Sequence, residues 1–148
     1  MKFTIYVGGT FDLFHYGHVR LFSNIKNVFK HCNLVVAVNS DRFCQEYKRS
    51  PIIKDKERLE VVKACKNVDN AIIIPTWASQ ENFITKVNPD YIILGSDWKN
   101  KNYFKQLNVT QEFLDEIDCN ILFMPYTESI STTEIIKRIE TQNGKNDS

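Results

Sequence analysis

The sequence has 148 residues, 43% of them hydrophobic and 25% charged, a composition typical of one globular domain rather than a disordered or fibrous chain. Its 19 Lys and Arg residues nearly balance 18 Asp and Glu residues, and a net charge of +1 argues against a nucleic-acid partner bound through a broad basic face. No apolar run approaches the roughly 18 residues that cross a bilayer and no cleavable leader pattern opens the chain, so we expect a cytoplasmic protein without a membrane partner.

Five short apolar runs rich in β-branched or aromatic residues predict buried strands, at 3–7, 34–38, 71–74, 91–94 and 121–124. Amphipathic helical patterns alternate with these strands. The first covers 18–29, the second begins at a cap on Asp55, the third ends before Asn88-Pro89, and the last begins at a cap on Ser131. The polar stretch 39–54 is predicted to be a mobile surface loop, with a lid over a ligand as the alternative. We place one domain at 1–140 and a polar tail at 141–148.

Strands that are apolar on both faces and alternate with amphipathic helices predict a doubly wound α/β fold, with a five-stranded parallel sheet covered by helices on both faces. Ligands bind such sheets beyond the carboxyl ends of the strands, where the strand order reverses. We therefore expect the functional site in the loops after the first and fourth strands.

The four cysteines are scattered and lack the paired short spacing of zinc sites and redox dithiols. We expect no metal site built from them. They are predicted to be buried free thiols, at Cys32, Cys44, Cys65 and Cys119.

The junction of the first strand and the first helix carries the most informative segment, 8–18, which reads GGTFDLFHYGH. Glycines at a strand end allow close approach to the backbone, and a helix N-terminus attracts anions, so phosphate is the expected occupant. The P-loop and the dinucleotide fingerprint are both absent. Instead His15 and His18 lie three residues apart and could donate to one phosphate, stabilising the charge that develops during displacement. Capping of the helix and metal binding are the alternatives.

Three segments together resemble the cytidylyltransferase-like nucleotidyltransferases, and among them most closely the glycerol-3-phosphate cytidylyltransferases. They are the segment Gly9-Thr10-Phe11-Asp12 through His15-Tyr16-Gly17-His18, then Gly95-Ser96-Asp97-Trp98, and then TESISTT at 127–133. They occur in the family's order and span nearly the whole chain.

The resemblance implies a Rossmann-like fold and a nucleotidyltransferase without a covalent intermediate. A phosphate oxygen of the acceptor attacks the α-phosphorus of a nucleoside triphosphate in line, and pyrophosphate leaves. The expected donor is CTP, the expected acceptor glycerol 3-phosphate or a similar small phosphorylated alcohol, and Mg²⁺ is expected on the triphosphate. A homodimer is also implied.

Other functions stay open at this point. An adenylyltransferase would use ATP on a sugar phosphate or a flavin phosphate. An inactive nucleotide-binding regulatory subunit and a metal-binding redox or hydrolytic domain belong to other functional classes.

The resemblance assigns catalysis to His15, His18 and Arg49. It assigns nucleotide binding to these three and to Gly9, Thr10, Phe11, Asp97, Tyr126, Thr127, Ile130, Ser131, Thr132, Thr133 and Arg138. Substrate binding is assigned to Asp12, which is also expected to orient the loop, and to Tyr47, Lys48, Arg58, Lys66, Asp69 and Trp77. Three positions lose a positive charge that the glycerol phosphate enzymes carry, so the acceptor stays open: Tyr47, Gln80 and Tyr126.

Overall fold

A computed structural model describes residues 2–47, 49–95, 102–125, 127 and 130–146. The described strands are β1 Thr4–Gly9, β2 Asn33–Asn39, β3 Asn70–Ile74, β4 Tyr91–Gly95 and β5 Asn120–Met124. The described helices are α1 Tyr16–Val28, α2 Asp41–Tyr47, α3 Asp55–Lys63, α4 Gln80–Val87, α5 Tyr103–Leu107, α6 Gln111–Glu116 and α7 Thr132–Asn146, with one 3₁₀ turn at Trp77–Ser79. None of these helices is long and apolar enough to cross a membrane.

The five strands form one parallel sheet in the order β3-β2-β1-β4-β5. The chain first winds outward from β1 to β3 and then returns to build β4 and β5 on the other side of β1. Strand order therefore reverses between β1 and β4, which opens a crevice at their carboxyl ends. The predicted doubly wound sheet is confirmed.

Alternate residues of each strand enter two separate cores, because helices cover both faces of the sheet. Ile5 and Val7 of β1 pack in the first core with Phe22 of α1 and Val62 of α3. Tyr6, between them in sequence, packs in the second core with residues of α2, α4, α5 and α6. This two-sided burial explains why the strands read as continuous apolar runs.

The stretch predicted to be a mobile loop contains helix α2, so that prediction was wrong. Phe43 and Cys44 anchor α2 to the core, although the rest of its sequence is polar. The predicted cap at Asp55 also differs, because Lys54 is the N-cap residue of α3. The Asp55 carboxylate instead accepts the backbone N–H of Asp41 at 3.0 Å and so stabilises the start of α2.

Three further predictions concern chain ends and thiols. Helix α4 ends at Val87, before Asn88-Pro89 as predicted, and Asn88 takes the left-handed conformation. Helix α7 continues to Asn146, through residues that the sequence suggested as a polar tail. All four cysteines are free, and Cys65 alone is only half-buried.

Candidate active site

The loop that joins β1 to α1 lies at the carboxyl edge of the sheet, on the predicted reversal point. Phe11 and Leu13 take left-handed conformations there, with φ of 56° and 48°. Such a conformation costs a non-glycine residue about 1–3 kcal/mol and recurs where a functional geometry must be held. The buried Phe11 ring meets the ring of His18 edge-on, with centroids 5.2 Å apart, so the loop also fixes a histidine.

The two histidines form a reciprocal cap at the start of α1. Nδ1 of His15 accepts the backbone N–H of Gly17 at 3.1 Å, and Nδ1 of His18 accepts the backbone N–H of His15 at 3.2 Å. Their rings stack with centroids 3.8 Å apart. Because each Nδ1 acts as an acceptor, the proton of each neutral ring sits on Nε2. The cap thus presents two Nε2–H donors to a ligand, and helix capping and ligand binding are compatible.

Burial also keeps both imidazoles uncharged. It lowers the pKa of His15 below its usual value. Burial and the nearby His15 together lower the pKa of His18 to about 3. At neutral pH the pair therefore consists of two neutral donors. A bound phosphate would favour the protonated forms and raise both pKa values.

Gly17 is required by the position of the His15 ring. A Cβ atom at residue 17 would lie 2.8 Å from Cε1 and 2.9 Å from Nδ1 of His15, and 3.1 Å from Cγ2 of Ile130. The glycine therefore lets the imidazole pack directly against the first turn of α1. Ile130 closes the opposite side of the same contact.

The first turn of α7 docks on the β1–α1 loop. The hydroxyl of Thr132 donates to the backbone carbonyl of Asp12 at 2.8 Å. Oγ of Ser131 accepts the backbone N–H of Glu134 at 3.0 Å, which confirms the predicted cap. The N-termini of α1 and α7 are therefore tied to one loop, and their helix dipoles together favour an anion.

Asp12 links this loop to residues 49–53. Its carboxylate is 2% exposed and accepts the backbone N–H groups of Ile52 at 2.8 Å, Ile53 at 2.9 Å and Leu13 at 3.1 Å. Nη1 of Arg49 lies 3.5 Å from the same carboxylate, and the Arg49 side chain is 43% exposed. Arg49 is thus brought to the loop of the histidine pair.

Comparison with known proteins identifies the family. The model of the cytidylyltransferase-like family matches residues 6–138. The chain belongs to this family. Glycerol-3-phosphate cytidylyltransferase of Bacillus spizizenii is 32% identical over 129 residues, which cover 87% of this chain and 91% of that protein. Human choline-phosphate cytidylyltransferase A is 30% identical over 139 residues, which cover 91% of this chain but 36% of that protein.

Solved structures share the fold. A lipopolysaccharide core biosynthesis protein of Thermoplasma volcanium superposes with a TM-score of 0.68 at 23% identity, over 88% of this chain and all of that one. Pantothenate synthetase of Thermus thermophilus superposes with a TM-score of 0.53 at 13% identity, over 92% of this chain and 64% of that one. At these identities the likeness shows a common fold and nothing about the substrate.

Two residues that the family resemblance assigned to the substrate are instead occupied by the protein. The buried Asp12 carboxylate already faces three backbone N–H groups, which supports its expected role in orienting the loop. Arg58 is 1% exposed. Its guanidinium donates to the carbonyls of Thr10 at 2.6 Å, Asn39 at 2.8 Å and Ile53 at 2.8 Å, and to the Asp41 carboxylate at 2.8 Å. Neither side chain is available to contact a substrate directly.

Lys66 and Asp69 lie at the wrong edge of the sheet for substrate binding. Both precede β3, so they sit at the amino ends of the strands. The Asp69 carboxylate accepts the backbone N–H of Leu34, near the start of β2, at 2.7 Å and pairs with Lys26 at 2.6 Å. The prediction of a substrate role is therefore corrected: Asp69 joins α1 to the sheet, and Lys66 lies at the amino edge, away from the histidine pair.

Helix α5 holds two residues of the region predicted to face the acceptor, Trp77 and Gln80. Nε1 of Trp77 donates to the carbonyl of Lys105 at 2.9 Å, so the half-buried indole is fixed by α5. Gln80 is buried and donates to the carbonyls of Trp77 and Gln106. Because this side chain makes contacts within the protein, the absence here of the positive charge that the glycerol phosphate enzymes carry does not indicate which acceptor is bound. Tyr47 is 48% exposed at the end of α2.

The other residues predicted to contact the nucleotide differ in how exposed they are. Thr127 and Ile130 are half-buried and Thr133 is exposed. Arg138 is exposed on α7 and lies 3.5 Å from Glu134 on its own helix. Gly9 leaves room for the Phe11 ring, which a Cβ would meet at 3.0 Å, and the Thr10 hydroxyl lies 3.5 Å from the Cys44 sulfur. Lys48, Asp97 and Tyr126 lie outside the described residues.

Sequence reasoning missed Asp41, the carboxylate partner of Arg58. The signal that could have found it is its position, two residues after the end of β2 and thus at the same edge as the histidine loop. Among the residues that the structure describes, no group of three or more His, Cys, Asp or Glu side chains is placed to hold a metal ion.

Proposed function

We propose that the protein transfers the CMP group of CTP to glycerol 3-phosphate or a similar small phosphorylated alcohol and releases pyrophosphate. The observation that carries this proposal is the pair of neutral imidazoles, whose Nε2–H donors are fixed where the N-termini of α1 and α7 meet. Membership of the cytidylyltransferase-like family supports the same reaction class.

The proposed step is a direct in-line displacement. An ionised phosphate oxygen of the acceptor forms a bond to the α-phosphorus of CTP, and the bond from that phosphorus to the bridging oxygen of pyrophosphate breaks. No proton must be removed from an ionised acceptor, so the site needs no general base. His15 and His18 donate to phosphate oxygens on which charge increases, and this stabilises the transition state more than the ground state.

The rest of the triphosphate is proposed to lie against α7 and Arg49. The Thr132 hydroxyl donates to the Asp12 carbonyl, so the backbone N–H of Thr132 is the donor that remains for a phosphate. The Ser131 oxygen accepts from Glu134, and its hydroxyl proton is left to donate to a ligand. The exposed Arg49 side chain supplies a fixed positive charge beside the same loop.

Mg²⁺ is proposed to enter as part of the nucleotide substrate. The side chains at the described site are imidazoles, hydroxyls and cations rather than the cluster of oxygen ligands that this ion prefers. Its ligands would then be triphosphate oxygens and water. The residues described above bind and orient the nucleotide, and each contributes without contacting the ion.

The identity of the acceptor rests on relatives of two kinds. Glycerol-3-phosphate cytidylyltransferases match this chain over nearly their whole length, which favours glycerol 3-phosphate. Choline-phosphate cytidylyltransferases match it at similar identity over part of theirs. Tyr47, exposed beside the site, is the described position at which a lost positive charge can alter the acceptor.

The test is pyrophosphate release by the purified protein with each nucleoside triphosphate against a panel of acceptors. The panel contains glycerol 3-phosphate, phosphocholine, ribitol 5-phosphate, a sugar 1-phosphate and flavin mononucleotide. We expect turnover with CTP and a phosphorylated alcohol. Turnover with ATP alone would support the adenylyltransferase, whereas nucleotide binding by folded protein without any turnover would support the regulatory subunit. The predicted homodimer is tested separately by mass in solution.

A further inference from the structure

The segment 49–53 carries Arg49 but has little apolar burial to hold it in place. Ile52 is 59% exposed and the Arg49 side chain is 43% exposed, while Pro51 and Ile53 are half-buried. A loop in which no apolar side chain is fully buried gains only part of the available stabilisation from the hydrophobic effect. Hydrogen bonds therefore contribute to holding it in position.

Those hydrogen bonds come from two buried charged side chains on opposite sides of Ile53. The Asp12 carboxylate accepts the backbone N–H of Ile53 at 2.9 Å and that of Ile52 at 2.8 Å. From the other side, Nε of Arg58 donates to the backbone carbonyl of Ile53 at 2.8 Å. Asp12 and Arg58 are 2% and 1% exposed. Hydrogen bonds of charged groups are about twice as strong as neutral ones, so this pair can define the path of an otherwise exposed loop.

The same two side chains are themselves anchored to the sheet edge. Nη1 of Arg58 reaches the carbonyls of Thr10, just after β1, and Asn39, the last residue of β2. The backbone carbonyl of Asp12 accepts the Thr132 hydroxyl at the start of α7. These contacts thus fix the position of the loop at Ile53 relative to β1, β2 and α7, the elements around the histidine pair.

We propose that Asp12 and Arg58 are positioning residues, which hold Ile53 from both sides and thereby fix Arg49 relative to the histidine pair. The proposal rests on the proposed function for its effect on the reaction. Neither residue contacts the nucleotide or the acceptor. Both act through Arg49, so substituting either one is expected to lower kcat only slightly when Arg49 has already been replaced.

A double-mutant cycle tests this coupling. Asp12→Asn leaves one oxygen acceptor for three backbone N–H groups, and Arg58→Lys replaces a planar fork with a single ammonium. In wild-type background each change is expected to lower kcat by roughly 10- to 100-fold, with a smaller effect on KM. In an Arg49→Ala background the same changes are expected to lower kcat less than about threefold. Equal losses in both backgrounds would overturn the proposal.

The matched control is Arg42→Ala, which removes an exposed arginine of α2 whose partner is Glu46. It is expected to leave kcat unchanged in both backgrounds, because the pair is exposed and does not contact the segment 49–53 that Asp12 and Arg58 hold. A loss of kcat in this control equal to that of Arg58→Lys would point to a general effect of charge and contradict the proposal.

Amide hydrogen exchange provides a readout that needs no turnover. The N–H groups of Ile52 and Ile53 are expected to be protected in wild type and to exchange roughly tenfold faster or more in Asp12→Asn, with the amides of β2 unchanged. If the wild-type protein shows no activity, the proposed function fails, but the exchange measurement still decides whether Asp12 and Arg58 hold Ile53. If a variant fails to fold, Asp41→Ala replaces it, since this removes the partly exposed acceptor of Arg58 and leaves Arg58 itself in place. Unchanged exchange at Ile52 and Ile53 would overturn the proposal.

Discussion

The two edges of the sheet each hold a carboxylate that accepts at least one backbone N–H group and faces a cation, yet the two differ in burial. Asp12, at the carboxyl edge, is 2% exposed and faces Arg49. Asp69, at the amino edge, has a side chain that is 37% exposed and pairs with Lys26. The first organises loops around the histidine pair, and the second ties α1 to the start of β2. The same chemistry therefore organises the loops of the proposed active site at one edge and ties a helix to the sheet at the other.

The largest difference between the edges is expected from their histidines. His15→Ala and His18→Ala each remove one donor to a phosphate and are expected to lower kcat by roughly 10²- to 10³-fold, with a modest change in nucleotide affinity. His31, in the turn before β2, belongs to the amino edge and provides the matched control. His31→Ala is expected to retain kcat. Steady-state kinetics of the three variants checks this, and equal losses in all three would break the comparison.

A single methyl group at the carboxyl edge is expected to have the next largest effect. Gly17→Ala places a Cβ against the His15 ring and Ile130, so the imidazole must move from its cap. We expect kcat to fall by roughly 10- to 100-fold, because small displacements of a catalytic group are costly. Gly144→Ala on α7 has no atom within 4 Å of the added carbon and is expected to keep kcat. A normal kcat in Gly17→Ala would show that the His15 position is not critical.

The stability of the free protein should depend on pH through the histidine pair. Burial and the nearby His15 lower the pKa of folded His18 from its usual 6.5 to about 3. As pH falls below 6.5 the unfolded chain binds protons that the folded chain does not, so the free energy of unfolding decreases. Urea unfolding at pH 7 and pH 5 measures this decrease. His18→Gln is expected to reduce it, and an identical decrease in the variant would exclude His18 as its source.

The smallest effect on the reaction is expected at the amino edge. Burial raises the pKa of Asp69, but the hydrogen bonds from Lys26 and Leu34 outweigh it and hold the pKa below its usual 3.8. Asp69→Asn is therefore expected to lower stability at neutral pH by about 1 kcal/mol. That loss should shrink as pH falls through the folded pKa, because the wild-type carboxylate is then protonated too. Urea unfolding measures both, and kcat is expected to be unchanged. A tenfold loss of kcat would instead support the original prediction that Asp69 takes part in substrate binding.

The sequence predicted the carboxyl edge well where the signal is local. The strands and the Ser131 cap follow from short patterns that tertiary contacts do not override, and the histidine cap was one of the alternatives that the sequence left open. Helix α2 was missed because few apolar residues mark it. Burial of Arg58 was missed because a charged side chain is expected at the surface until its tertiary acceptors are known. The position of Asp69, directly before a strand, could have placed it at the amino edge.

The central claim is that two neutral imidazoles with protons on Nε2 receive the phosphates of a nucleotide. Nitrogen-15 NMR of the histidine side chains at pH 7 tests it most directly. The account predicts that His15 and His18 both carry the proton on Nε2 and none on Nδ1, that added CTP shifts these signals, and that His31 stays unchanged. Protonation on Nδ1 in either residue, or signals that do not respond to CTP at saturating concentration, would contradict it.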